Sequence, residues 1–363
     1  MAQVLLTVSG VIAPDTAEKI AQGARPRADY FELAQAFEAD IMDYAAARRN
    51  SGWFGWLLER LVGPNLLLAW ACYCRRQHYN VIFTDGEQVG IPLASLLKYA
   101  TITGRRARHV MIVHILSVGK KMLLFDLLGL QSHVDIFVVY ATWQQQFIQR
   151  RWKVPAARVV FTPFMVDAGF FAPDTVTPNP TSRPMICSVG LESRDYPTLI
   201  QAVRGLDIQV VIAAASPWAR QPDSTQGQDI PENVTVQRFS QYELRQLYAD
   251  SSFMVMPLLN VNYQAGVTAI LEAMAMGRAV ICSRTPGQTD VVIDGETGLY
   301  VPSGDPDALR AAIMQLVNHP DQAARMGQAG RRRIEQEMSL DHYTSRLSRL
   351  VASVHANVEA VTR

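Results

Sequence analysis

The chain has 363 residues, more than one hydrophobic core usually serves, so two domains of roughly 170 residues each are expected. Apolar residues make up 49% and charged residues 18%, a balance that excludes intrinsic disorder. The formal net charge of +1 offers no global field for collecting nucleic acid, and no nucleic-acid partner is expected.

Met1 to Gly10 is apolar but lacks a basic n-region and a cleavage site, so Val4 to Val8 is read as a buried first strand rather than part of a signal peptide. Tyr30 to Arg48 is predicted as one helix, with Phe31, Leu33, Ala34, Phe37 and Ile41 on its apolar face. Leu61 to Cys74 is the most apolar later stretch, but Gly63-Pro64-Asn65 interrupts it and it is too short to span a bilayer, so no transmembrane helix is expected. Further buried strands are predicted at Val81–Thr84, His109–His114, Ile136–Tyr140 and Val159–Thr162, with helices between most of them.

From Ala172 to Pro184 four prolines replace any apolar periodicity, as in an interdomain linker. The alternation then restarts, with strands at Met185–Val189, Gln209–Ala213, Val234–Gln237, Phe253–Met256 and Ala279–Cys282. Helices are placed near Tyr196–Arg204, Gln241–Ala249, Val267–Met276 and Pro306–Val317, and a long amphipathic helix at Leu340–Val361. The fold class that follows is α/β, with two doubly wound Rossmann-like domains facing each other across a cleft. The first strand is not followed by G-x-G-x-x-G, which disfavours a dehydrogenase. Cys72, Cys74, Cys187 and Cys282 have no metal-ligand or redox spacing and read as reduced thiols of a cytoplasmic protein.

The strongest chemical signal is Gln264-Ala-Gly-Val-Thr-Ala-Ile-Leu-Glu272-Ala-Met-Ala-Met-Gly277, followed by Thr285-Pro-Gly-Gln-Thr-Asp290 and Asp294-Gly-Glu-Thr-Gly-Leu. A helix beginning at Gly266 or Val267 presents free N–H groups and a positive dipole end to a diphosphate. Glu272, in that helix, is a carboxylate able to accept hydrogen bonds from a pair of hydroxyls. A second signal is Cys187-Ser-Val-Gly190-Leu-Glu-Ser-Arg194-Asp-Tyr-Pro-Thr-Leu-Ile, a strand, a turn and a helix start. A third is Val110-Met-Ile-Val-His114, a buried strand delivering a histidine to the edge where doubly wound sheets bind ligands.

These motifs resemble those of the retaining GT-B-fold enzymes of glycosyltransferase family 4. The resemblance is specific over residues 185–345 and architectural over 1–175, apart from the His114 strand. It implies domains at 1–172 (acceptor side) and 185–344 (donor side), a linker at 173–184, and a C-terminal helix, about 345–363, crossing back to the first domain. It implies that Glu272 holds the ribose, Gln264 the donor sugar, and Gly266, Val267 and Thr268 the phosphates. Arg194 takes the pyrophosphate, His114 lies near the donor sugar, and the Ser9-Gly10 turn lies beneath the phosphates. The family's first acid is Gln264 here and its arginine after the glycine is Leu191. The implied partners are a nucleoside diphosphate sugar, UDP-linked rather than GDP-linked, and a hydroxyl acceptor on a lipid or glycan. No cofactor and no metal are required.

Two features stay open. Asp85 and Glu87 could orient an acceptor hydroxyl or cap the following helix. Trp53-Phe-Gly-Trp56, Trp70 and Lys120-Lys121-Met-Leu-Leu-Phe125 could make peripheral contact with a membrane, at its cytoplasmic face, or could pack in the core with solvated lysines. A non-catalytic sugar-nucleotide-binding subunit and a GT-B epimerase or phosphorylase are the alternative functions.

Overall fold

The structure, a computed structural model, describes residues 3–100, 107–214, 225, 227 and 229–362, with side chains to residue 356. Met1 and Ala2, which the sequence reading included, lie outside the described residues. The chain divides into two compact units: residues 1–21, 27–162 and 344–363 form the first, and residues 22–26 and 163–343 the second.

In the first unit the order is β1 (Val4–Val8), α1 (Thr16–Ala21), α2 (Asp29–Phe37), β2 (Asp40–Asp43), α3 (Tyr44–Val62), α4 (Pro64–Arg75), β3 (Val81–Thr84), α5 (Glu87–Tyr99), β4 (Arg108–Val113), α6 (Gly119–Leu128), β5 (Ile136–Val139), α7 (Thr142–Trp152) and β6 (Val159–Phe161). The strands form one parallel sheet, ordered β2-β1-β3-β4-β5-β6. Both faces of β3 are buried, which is why it reads as an unbroken apolar run.

The second unit contains β7 (Met185–Val189), α8 (Tyr196–Val203), β8 (Gln209–Ala213), β9 (Val234–Gln237), α9 (Gln241–Asp250), β10 (Phe253–Met256), α10 (Val267–Ala275), β11 (Ala279–Arg284), β12 (Gly298–Pro302), α11 (Pro306–Asn318) and α12 (Pro320–Arg333). Its sheet is also parallel, ordered β12-β11-β10-β7-β8-β9. Helix α13 (Leu340–Thr362) starts in this unit and belongs to the first unit from Thr344 onward. There Arg346 donates to Thr162 Oγ1 at 2.9 Å and Ser348 to the Ala36 carbonyl at 3.3 Å.

The structure corrects two sequence expectations and decides a third point that the sequence left open. The helix expected over Tyr30–Arg48 is two helices with a strand between them. Glu38, in the left-handed region at φ +50°, ends α2, and Asp40–Asp43 then pair with β1. The proline-rich stretch is not where the units divide: the chain changes unit at Thr162–Pro163, and Asn179 is bonded to Asp250 within the second unit. The aromatics at 53–56 are not core, since Trp53 is 78% and Trp56 59% exposed. Strand β12 and helix α12 were not read from the sequence.

Candidate functional site

Each sheet reverses its winding direction once, and ligands of open parallel sheets bind beyond the carboxyl ends of the strands that flank such a reversal. In the first unit the flanking strands are β1 and β3, and in the second they are β7 and β10. The predicted site residues fall at these two places.

In the first unit, Asp85 follows β3 and fixes the turn after β1. Its carboxylate accepts from Thr7 Oγ1 and Ser9 N, both at 2.5 Å, and from Ser9 Oγ at 2.9 Å. Burial raises its pKa, and those donors and His114 pull it back. Gly10 next to Ser9 has open space above its Cα. Asp43 caps α3 at Ala46 N and holds Ile12 N, so the turn is anchored from both neighbouring strands.

His114, just past β4, is exposed, and its Nε2 lies 3.0 Å from the Asp85 carbonyl. A carbonyl only accepts, so Nε2 carries the proton and Nδ1 is the acceptor in the neutral ring. Glu87 is buried beneath it and accepts from His114 N at 2.9 Å, Ile115 N at 3.0 Å and Lys121 Nζ at 2.7 Å. Burial works to raise its pKa, but His114, Lys121 and the backbone donor outweigh it and hold the carboxyl below its usual range. Gln144 donates to the His114 carbonyl, completing the clamp. Both carboxylates of the Asp85-Gly-Glu87 motif are therefore engaged with protein donors. Sequence reasoning missed Asp29, at the start of α2, whose pKa is raised by burial and by the charge of Asp85, with His114 opposing. It also read Lys121 as a surface charge, whereas it pairs with Glu87.

In the second unit, the loop after β7 crosses the loop after β10. Asp195 N donates to the Pro257 carbonyl at 3.0 Å and Leu259 N to the Ser193 carbonyl at 3.0 Å. Ser193 Oγ and Tyr263 Oη share a hydrogen bond of 2.5 Å. Arg194 is 6% exposed, with Nε donating to the Val189 carbonyl at 2.9 Å and Nη1 to the Glu192 carbonyl at 2.7 Å. Its guanidinium lies under both Gly190 and Gly266, where an added Cβ would collide with Nη2 or meet Nη1 at 3.2 Å. A fixed cation thus sits beneath the two turns that end β7 and begin α10. Leu191 packs against the core instead.

Gly266 is the N-cap of α10 in the left-handed region, φ +75°, and no side chain caps the helix. Its first N–H groups therefore have no capping side chain to meet them. Thr268 is exposed and Val267 half-buried. Gln264, two residues before that N-cap, has both amide atoms buried and without a hydrogen-bond partner. Gln288, fully buried, braces the same loop by donating to the Ala265 carbonyl at 2.8 Å, and its own Oε1 is unpartnered, as is Thr285 Oγ1.

Glu272 is 5% exposed on the second turn of α10 and accepts from Tyr248 Oη at 2.8 Å. Burial pushes its pKa from the ordinary 4.5 up to about 7, with the Tyr248 bond pulling the other way. Tyr248, on α9, gave no sign of this in the sequence. Among the described residues, no group of three or more His, Cys, Asp or Glu could hold a metal ion.

Two parallel doubly wound units with a C-terminal helix returning to the first define the GT-B fold. Residues 191–319, within the second unit, match the model of the family of glycosyl transferases group 1. An alpha-maltose-1-phosphate synthase of Mycolicibacterium smegmatis is 30% identical over 201 residues, 48% of this chain and 49% of that protein. A GDP-mannose-dependent alpha-(1-6)-phosphatidylinositol monomannoside mannosyltransferase of the same organism is 44% identical over 61 residues, 17% of this chain and 16% of that one. The chain therefore spans about half the length, or less, of these relatives. Among solved structures, sucrose-phosphate synthase from Thermosynechococcus elongatus matches with a TM-score of 0.72 at 17% identity, over 98% of this chain and 99% of that one. Anabaena HepE in complex with UDP-glucose matches with a TM-score of 0.71 at 14% identity, over 96% and 99%. At these identities the structural likeness establishes the fold.

Proposed function

We propose that the chain is a retaining hexosyltransferase that uses a nucleoside diphosphate sugar, UDP-linked in preference to GDP-linked, and a hydroxyl acceptor on a lipid or glycan. The observation that carries this reading is the pair formed by the uncapped N-terminus of α10 and the unpartnered amide of Gln264 beside it. A diphosphate satisfies the first and a sugar hydroxyl the second. The UDP preference draws on HepE, solved with UDP-glucose and with UDP.

In the reaction, the bond from C1 to the phosphate oxygen breaks as the acceptor oxygen bonds to C1 on the same face, and the acceptor proton passes to the departing diphosphate. Charge growing on that diphosphate is met by the amides of Gly266, Val267 and Thr268, with the Arg194 guanidinium fixed beneath them, which requires no metal. Glu272 takes the ribose. The roles of His114 and the Gly10 turn toward the donor rest on the family resemblance, and peripheral contact of the first unit with a membrane, at the cytoplasmic side, belongs to the same reading. No described helix is long and apolar enough to cross a membrane.

The second reading is a sugar-nucleotide-binding subunit without turnover, favoured by Gln264 and Leu191 at positions where the family carries charge. Calorimetric titration with UDP, UDP-glucose, GDP and GDP-mannose tests the shared claim, and release of diphosphate from the donor separates the readings. Binding of none of the four would overturn both.

A further inference from the structure

The first unit carries an apolar surface that its fold does not use. Helix α3 is broken at Gly52, φ +55°, which sets off Trp53–Val62 as a segment of its own. On it, Trp53, Trp56, Leu61 and Val62 are 78%, 59%, 71% and 56% exposed. Four residues beyond Val62, Leu66 opens a groove of about 490 Å³ lined also by Ile91, Pro92, Leu96, Tyr99 and Leu124. The remaining hydroxyl there, Ser95 Oγ, is bonded to the Ile91 carbonyl. Leu124 belongs to α6, whose Leu123 and Leu127 are 54% and 73% exposed. Helix α6 thus shows three leucines on its outer face, beside Lys120 and Asp126, as well as an apolar inner face.

Charge is concentrated on the same stretch. Residues 44–128 carry eleven Lys and Arg against four acids, although the whole chain has 34 against 33. Two of the four acids are turned inward, Asp85 to Thr7 and Ser9 and Glu87 to Lys121; the other two, Glu59 and Asp126, are paired with Arg48 at 2.6 Å and Arg151 at 2.5 Å. The exposed aromatics carry cations directly: Arg60 lies 5.4 Å from the Trp56 ring and Lys98 5.4 Å from the Tyr99 ring, with Lys120 exposed at the start of α6.

We propose that the face made by Trp53–Val62, the groove and α6 docks on an anionic phospholipid bilayer. Tryptophans with a polar edge settle at the boundary between headgroups and acyl chains, leucines enter the apolar side, and arginine and lysine meet the headgroup phosphates. A second copy of the chain is disfavoured as the occupant, because it would bring the same excess of cations onto itself. This deepens the membrane contact of the proposed function and does not depend on the transfer chemistry.

The test is co-sedimentation of the whole chain with extruded vesicles of phosphatidylcholine alone and of phosphatidylcholine with phosphatidylglycerol. Binding is expected only to the anionic vesicles and should weaken as salt is raised. Trp53→Ser with Trp56→Ser should lower partitioning by at least about tenfold, and Arg60→Glu or Lys120→Glu by about fivefold or more each. Leu123→Ser with Leu127→Ser provides an independent pair on α6. Each variant should keep the wild-type circular dichroism spectrum and nucleotide affinity, which lies in the second unit, so a failed transferase reading shows separately. Equal binding to neutral vesicles, no binding to either, indifference to all four changes, or a dimer in solution that these changes dissolve would overturn the proposal.

Discussion

Replacing Glu272 by Gln tests the buried carboxylate at constant shape, because an amide oxygen still accepts the Tyr248 hydrogen bond of 2.8 Å. The folded pKa of about 7 lies above the ordinary 4.5, so the folded state holds a proton that the unfolded chain has released. A group raised in this way contributes stability that is full below the unfolded value and lost as pH rises through the folded one. Linkage between pH 5 and pH 8 then amounts to about 2.5 kcal/mol, roughly 5–10 °C in the midpoint of a unit of this size. Thermal unfolding of wild type and Glu272→Gln at the two pH values should show the wild type losing that much relative to the variant. Ribose hydroxyls donate to the ionised form, so nucleotide binding should expel the proton, and wild-type affinity for UDP should rise about tenfold from pH 6 to pH 8. Titration of the diphosphate itself contributes equally to both proteins. Identical pH dependence of stability in the two would refute the raised pKa, and identical pH dependence of UDP affinity would remove Glu272 from the ribose.

Gly266→Ala should cost about 1–2 kcal/mol for the left-handed backbone and a further 1–3 kcal/mol, roughly, for a Cβ placed 2.7 Å from Met256 Sδ. The loss should appear both in urea unfolding and in calorimetric UDP affinity, and a stable variant with wild-type UDP affinity would contradict the assignment of the α10 amides. Glu87→Gln should destabilise the first unit by about 1–3 kcal/mol at pH 7, since it breaks the Lys121 pair and weakens the clamp on His114. Its folded pKa is depressed, so the penalty should shrink as pH falls through 4.5 and below, where the wild-type carboxylate is protonated too. An urea midpoint difference that stays constant from pH 7 to pH 3.5 would be inconsistent with that charge pair.

Most of the fold was legible because the strands of two-sided parallel sheets are short, wholly apolar runs; β7 and β10 were read to the residue. Strand β2 was not, since Asp-Ile-Met-Asp at the sheet edge has only two apolar residues between two acids and follows a helical pattern whose end depends on the backbone turn at Glu38. Strand β12 begins at Gly298 and is half-buried, so its apolar signal is weak. The site's linear parts, Gly266 to Glu272 and Gly190 to Arg194, were legible as spaced motifs. What holds them was not. Tyr248 meets Glu272 from 24 residues away and Tyr263 meets Ser193 from 70. Such partners are chosen by topology, through the adjacency of β7 and β10, and no local pattern records them. Trp53 and Trp56 show the reverse: the sequence left them open between core and surface, and only the structure places them outside.

Gln264 is where the two functional readings part, and its surroundings give the contrast a sign. Its amide is buried with neither atom bonded, a state that costs the free protein about 1–3 kcal/mol per group and that a sugar hydroxyl would relieve by both donating and accepting. Gln264→Glu keeps the shape but replaces a donor by charge, and an unpartnered carboxylate in the same place costs more than an amide. The variant should therefore be less stable when free, and a nucleotide sugar should restore more of its melting temperature than the nucleoside diphosphate alone. An enzyme adapted to the amide would lose turnover with the acid, whereas a binding subunit disabled at this position would gain some. Thermal shifts with UDP and UDP-glucose, followed by donor turnover, read both effects on one protein. Equal shifts with the two ligands, together with unchanged turnover, would mean that position 264 does not touch the sugar and that its orphaned amide has another cause.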